Sequence, residues 1–125
     1  MKNAGGFGMV EIVVSMFILA ILSLALLPVL VQGLKQSANN ATLTTATQLA
    51  NDRIRAAQSQ GTDCRNVGLV AGTKTLTDAR GVTLSAATTV GSCPTGAGTV
   101  RVSTTVTRTD TGAALSTVST LVYVS

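Results

Sequence analysis

Glu11 stands at the start of a long apolar run, and its carboxylate is the group in this sequence that most needs a partner. Residues 12–31 contain no charged side chain. A carboxylate at the edge of an apolar span is costly in a membrane, and such residues usually pair with a cation or mark a functional site. The first question that the sequence poses is therefore which cation can reach Glu11.

The chain has two cysteines, Cys64 and Cys93, and both lie in its polar part. A single pair in a small exported domain favours a disulfide, which would stabilise the domain by about 3–4 kcal/mol on the chain-entropy account. Two free thiols in a cytosolic domain are the alternative. The chain has no His and no Cys-x-x-Cys spacing, so we predict no metal site and no cofactor.

The remaining polar residues form no catalytic constellation. Without His, a Ser or Cys nucleophile lacks its usual base. Asp63 and Asp78 could pair, but a solvated carboxylate in a turn is much commoner. The net charge of +4 is spread along the chain and Tyr123 is the single tyrosine, so strong nucleic-acid binding by this chain alone is not expected. The sequence predicts a structural building block and not an enzyme.

An N-terminal helix must position Glu11. The twenty uncharged residues 12–31 would form a helix about 30 Å long, which matches the hydrocarbon core of a bilayer. No face of this helix is strongly polar, so it belongs in lipid or in a bundle of its own kind. Pro28 lacks an N–H and Gly33 adds slack, so we expect a break or bend between residues 22 and 33.

The helix is predicted to continue in amphipathic form over residues 35–60 and to end near Gly61. Its intrinsic propensity is lowered by several threonines, so packing must stabilise it. The apolar positions of this part are Leu34, Ala38, Ala41, Ala46, Leu49, Ala50, Ile54 and Ala57.

The last part of the chain, residues 61–125, has a β pattern. Short Thr- and Val-rich runs cover 73–77 and 81–89, and residues 100–107 alternate strictly before a turn at 110–112 and a final run over 115–124. The last two runs predict a hairpin, and 91–98 predict an exposed loop held by Cys93. The predicted fold is α+β: a long N-terminal helix, apolar and then amphipathic, packed on a small antiparallel β-sheet domain.

The stretch from Gly6 to Glu11, Gly-Phe-Gly-Met-Val-Glu, resembles the processing site of type IV pilins and of the pseudopilins of type II secretion. In that family a short leader ends in Gly, the next residue is usually Phe, and the fifth residue after the cut is Glu. Pro28 lies where many members carry a helix-bending proline. Gly8 departs from the usual Thr or Ser, and the resemblance covers about the first thirty residues.

The resemblance implies how the chain is processed, inserted in the membrane and assembled. Prepilin peptidase would remove the leader, residues 1–6, by cutting between Gly6 and Phe7, and Phe7 would then be N-methylated. Residues 7–34 would span the cytoplasmic membrane once, with the C-terminal domain outside. They would later pack against other pilin subunits in a cell-surface or envelope-spanning filament, built by a pilus or secretion machinery. Such filaments serve adhesion, motility, DNA uptake or secretion.

The cut would also supply the missing cation. It creates an amine on Phe7 four residues before Glu11, within one turn of the same helix or of a neighbouring subunit. The alternative is a single-pass membrane protein that keeps its leader, is not polymerised and presents an interaction domain outside the cell. Lys2 and Lys35 flank the span with one charge each and do not settle its orientation; the expected disulfide and the polar domain favour an outside C-terminal part.

Overall fold

The computed structural model describes Gly6 and residues 8–125, and within them the chain forms two helices and one four-stranded sheet. The helices are α1 (Met9–Gln58) and α2 (Cys64–Gly68), and the strands are β1 (Gly72–Thr77), β2 (Thr83–Val90), β3 (Gly98–Arg108) and β4 (Ala114–Val124). The chain divides into two compact units, one ending at Asn39 and one covering Asn40–Ser125. The α+β class predicted from the sequence is confirmed.

The first unit consists of the N-terminal part of α1, and its helix is unbroken. Pro28 and Gly33 both lie inside α1, so the interruption that we expected there is absent from the described helix. A proline removes one amide donor, here the one that would reach the carbonyl of Leu24, and the turns on either side keep their own bonds. A bend of the axis at this point stays a prediction.

The sheet of the second unit is an antiparallel meander in the order β1-β2-β3-β4. The alternation predicted for residues 100–107 is confirmed, because Val100, Val102, Thr104 and Val106 are buried on one face. The β3–β4 hairpin is also present, with one register shift between Val106 and Thr107. Each strand therefore pairs only with the strands next to it along the chain.

The second half of α1 covers the buried face of this sheet. Ala46, Ala50 and Ala57 are fully buried, and they belong to the two apolar clusters in which α1 packs against the sheet. The buried face differs from our expectation at its N-terminal end, because Leu34 and Ala41 are exposed. Thr42 is buried in their place.

Three threonines of α1 hydrogen-bond back to the backbone of the helix itself. The hydroxyls of Thr44, Thr45 and Thr47 donate to the carbonyls of Asn40, Ala41 and Leu43, at distances of 2.9, 3.1 and 2.9 Å. Each hydroxyl thus finds an acceptor four residues earlier in the helix. These side chains are satisfied inside α1 and do not need the sheet.

A polar layer crosses the core and separates two apolar clusters. One cluster gathers around Ile54 and Val102, and the other around Leu49 and Leu84. Between them the hydroxyls of Thr88 and Thr104, a cross-strand pair, lie 3.0 Å apart in buried positions.

Arg53 of α1 completes this layer. Its Nε donates to the Thr88 hydroxyl at 3.4 Å, and its Nη2 donates to the carbonyl of Val70. Because these bonds have a direction, the layer fixes how far along the sheet α1 sits, which apolar contacts alone would not do.

Replacing this arginine should destabilise the domain. Arg53→Met keeps most of the aliphatic length but leaves the Val70 carbonyl and the Thr88 hydroxyl short of a donor. We expect a loss of about 1–3 kcal/mol in the free energy of unfolding, measured by urea denaturation of the full chain in detergent. Arg55→Met is the matched control, since Arg55 is exposed, and it should cost less than about 1 kcal/mol. Equal losses in the two variants would contradict this role for Arg53.

Beyond the C-terminus of α1, the domain is closed by the disulfide between Cys64 and Cys93, which the sequence predicted. It joins the start of α2 to the loop after β2. The short helix α2 was not predicted, although Asp63 is a typical N-cap and its carboxylate accepts from the Arg65 amide at 2.9 Å. The chain terminus adds a further tie, because the Ser125 amide donates to the Thr62 carbonyl at 2.9 Å.

The turn between β1 and β2 is held to α1 by Asp78. Its carboxylate accepts from the amides of Arg80 and Val82 at 2.8 and 2.9 Å and from the Thr42 hydroxyl at 3.1 Å. Arg80 also donates to Thr42. The Asp78 side chain is 5% exposed, so this turn is fastened to α1 through a nearly buried carboxylate.

Asp78 should make the domain sensitive to acid. The hydrogen bond from the Val82 amide lowers the pKa of Asp78, and the Arg80 amide and the Thr42 hydroxyl act in the same direction against partial burial. A lowered folded-state pKa gives stability above the unfolded-state pKa of about 3.9, and this stability is lost as the pH falls through the folded-state value. Asp78→Asn should therefore be less stable than the wild type at pH 7 and should lose less stability between pH 5 and pH 2.

Urea denaturation of the full chain across this pH range checks the expectation. Asp110→Asn is the control: the hydrogen bond from Arg108 also lowers the pKa of Asp110, but that side chain is 54% exposed and solvent screens its charge. An equal loss of stability between pH 5 and pH 2 in the wild type and in Asp78→Asn would show that this carboxylate does not anchor the turn.

Candidate processing and assembly site

The N-terminus of α1 is capped by its own glutamate. α1 begins at Met9, and the Ile12 amide donates to the Gly8 carbonyl at 3.3 Å, which makes Gly8 the N-cap residue. The Glu11 carboxylate, three residues further on, accepts from the Gly8 amide at 2.8 Å. This is the glutamate half of a capping box, and it also puts a negative charge at the positive end of the helix dipole.

Gly8 leaves room for this bond. A Cβ built on Gly8 would lie 2.7 Å from the Glu11 Oε2 atom, so any larger residue would displace the carboxylate. A Thr or Ser at this position would offer its own hydroxyl as the cap. With Gly8 at the N-cap, Glu11 supplies the side-chain half of the capping box that the structure shows.

The structure gives Glu11 a partner that the sequence analysis overlooked. We looked for a cation, and the described partner is the neutral amide of Gly8. The signal was available, because a Glu three residues after a helix N-cap is the usual capping-box spacing. Phe7, to which we assigned the amine, the cut and the methylation, lies outside the described residues. Gly6 is exposed and precedes the helix.

Around and beyond Glu11, α1 presents apolar side chains to every side. Each large hydrophobic residue from Met9 to Val31 is exposed, with Val31 the least exposed at 44%. This part of the helix is long and apolar enough to cross a membrane, and none of its most apolar window is buried. A helix that is apolar all round needs lipid or other helices against it.

The other carboxylates weighed as site candidates have structural partners. Asp63 caps α2 and Asp78 fastens the β1–β2 turn to α1. These two residues are therefore not brought together as a pair. Within Gly6 and residues 8–125, no three His, Cys, Asp or Glu side chains are grouped as a metal site would need.

Comparison with known proteins identifies the N-terminal segment. Residues 1–27 match the prokaryotic N-terminal methylation motif, which is the prepilin signal of type IV pilins and pseudopilins. The match includes Gly6, Phe7 and Glu11 and ends one residue before Pro28. No curated protein and no solved structure matches the chain significantly. The motif implies processing by prepilin peptidase and association with the membrane and with other pilin subunits.

Proposed function

We propose that this chain, which carries a prepilin-type signal, is a structural subunit that is cut after Gly6 and assembled through α1 into a type IV pilus or a related filament. The single observation that carries the proposal is the match of residues 1–27 to the methylation motif. The motif ends in the part of α1, up to Val31, whose apolar side chains are exposed all round. That surface needs one environment before assembly and another after it, and lipid and neighbouring subunits supply the two.

The chain's location follows from the same features. Residues 7–34 cross the cytoplasmic membrane once, and the disulfide-containing unit lies outside, because a disulfide forms and persists in an oxidising compartment. The Cys64–Cys93 bond supports this orientation. After assembly the same unit forms part of the filament surface.

The mass of the membrane-extracted chain separates this function from that of an unprocessed membrane anchor. Loss of residues 1–6 and a methyl group on the new N-terminal Phe7 are expected of a pilin-like subunit. A chain that keeps its leader in cells with an active prepilin peptidase, and never enters filaments, would leave the membrane-anchored interaction protein as the better account.

Gly6 should be required for the cut. The prepilin signal implies a protease subsite beside the scissile bond that fits only a small residue, so Gly6→Val should leave a full-length precursor in the membrane. Intact mass of the extracted protein is the measurement. Gly5→Val, one residue further from the bond, is the control and should be cut. Removal of the leader from Gly6→Val would place the cut elsewhere.

Glu11 should matter for assembly more than for insertion. A carboxylate in the apolar span costs about 2.5–3.5 kcal/mol on insertion scales, so Glu11→Ala should insert at least as well as the wild type. In the filament, Glu11 pairs with the Phe7 amine of an incoming subunit, and a subunit at the wrong height leaves two charges unpaired at a cost of about 3–5 kcal/mol. Glu11→Ala protein should therefore be inserted and cut but enter filaments poorly.

The capping bond found in the structure calls for a second variant. Glu11→Gln can still accept from the Gly8 amide but carries no charge, so it keeps the cap and loses the ion pair. The readout is the ratio of chain in sheared filaments to chain in membranes. We expect Glu11→Gln to be as defective as Glu11→Ala. Normal assembly of Glu11→Gln would mean that Glu11 acts through the helix cap, and normal assembly of both variants would make Glu11 a bystander.

A further inference from the structure

Strand β4 forms one edge of the sheet, and over residues 116–124 it lacks the usual protection against pairing with another strand. It contains 11 residues, and none of them is charged, Pro or Gly. Natural sheets protect their edges with charges, prolines, bulges or covering segments. The register shift opposite Thr107 lies at the start of β4, and residues 116–124 run in unbroken register with β3.

The composition of β4 is that of an inner strand. Five of its 11 residues are β-branched, and Leu121 and Tyr123 are 59% and 57% exposed on the face turned away from α1. Within the described part of the chain, no backbone hydrogen bond joins β4 to a segment other than β3. Its outward amides and carbonyls are therefore available to an extended strand, and its side chains suit cross-strand contacts.

Strand β1 forms the opposite edge and is equally uncovered. All six of its residues are exposed, which means that α1 does not pack on either of its faces. No described backbone hydrogen bond leaves β1 except toward β2. The sheet thus has two free edges of different sequence, one uncharged and one carrying Lys74.

We propose that β4 of one subunit pairs with β1 of the next copy of this chain, so that the sheet continues from subunit to subunit. The inference rests on the proposed function, which sets many copies side by side with the same orientation. In a meander of four strands, β1 and β4 run in opposite directions. Copies with the same orientation therefore bring β4 and the next β1 together antiparallel, in the pattern that the rest of the sheet already has.

The other edge pairings fit less well. In copies of like orientation, β4 beside β4 would be parallel, which is the less stable ladder, and an antiparallel β4 pair needs a two-fold axis that closes a dimer. Pairing β1 with β1 sets Lys74 near Lys74, and like charges on facing strands repel. The β4–β1 contact joins two different surfaces, and a contact of that kind can propagate along a filament.

A pair of charge variants tests this contact in cells that make the full chain. Ser119 of β4 and Thr75 of β1 lie near the strand centres, on the face turned away from α1. Ser119→Lys should lower the chain in sheared filaments by about tenfold, because a lysine on an edge strand is a usual means by which natural sheets block pairing with another strand. Ala87→Lys is the matched control: Ala87 is exposed on the same face of the inner strand β2, and assembly should be unchanged.

Adding Thr75→Glu to Ser119→Lys should restore assembly. Within one subunit these positions are three strand spacings apart, about 14 Å, and are also offset by about four residues along the strands. Their separation therefore exceeds the screening length in physiological salt of about 8 Å. Recovery therefore requires the carboxylate of a neighbouring copy. A fold check comes from the Cys64–Cys93 bond, which should form in every variant.

Hydrogen exchange on wild-type filaments gives a readout without mutations. The outward amides within residues 116–124 should exchange at least about tenfold more slowly in filaments than in the free subunit, while β2 amides change little. Filaments with unchanged β4 exchange, normal assembly of Ser119→Lys, or a double variant as defective as Ser119→Lys would each overturn the strand pairing and leave the proposed function standing. A wild-type chain that keeps its leader and forms no filament overturns both.

Discussion

The packing of α1 on the sheet is the contact on which the second unit depends. The chain has two Phe, one Tyr and no Trp, so its core cannot rely on large aromatic side chains. It relies on buried alanines and other aliphatic side chains of α1 that pack against valines in two apolar clusters. A small core of this kind tolerates little sliding. Directed bonds at Arg53 and Asp78 prevent α1 from sliding along the sheet. The disulfide ties the start of α2 to the loop after β2.

One helix serves two environments that follow different rules. Up to Val31 its side chains are apolar and exposed in the isolated chain, so their contribution to stability comes from lipid or from other helices. From Thr42 onward one face is buried on the sheet, and the other carries threonines whose hydroxyls are satisfied within the helix. The single carboxylate of the apolar part is held at the very start, where the helix dipole favours it.

Much of the fold could be predicted because its signals are local. The alternation over residues 100–107, the glycine at 112 and the apolar run are each visible within a short window. The polar layer could not be predicted, since Thr88, Thr104 and Arg53 come together only through strand register and helix placement. The same holds for Thr42, a buried helix residue whose hydroxyl donates to a carboxylate 36 residues away.

The candidate site shows a different limit. Gly6, Phe7 and Glu11 were recognisable as a motif, and the comparison supports that recognition. The capping bond was missed because Glu11 was considered as a charge in lipid before it was considered as the third residue of a helix. The five-residue helix α2 could not be predicted from hydrophobic periodicity, because it is too short to show one. Its N-cap residue, Asp63, is the local signal that indicates it.

The meander also has a kinetic consequence. Every strand pairs with the strand next to it along the chain, so the sheet has low contact order and little loop entropy must be lost before its pairings form. The long-range steps are the docking of α1, the Cys64–Cys93 closure and the tie between Ser125 and Thr62. A nascent chain can therefore form its hairpins one after another, and α1 can dock on a sheet that is already formed.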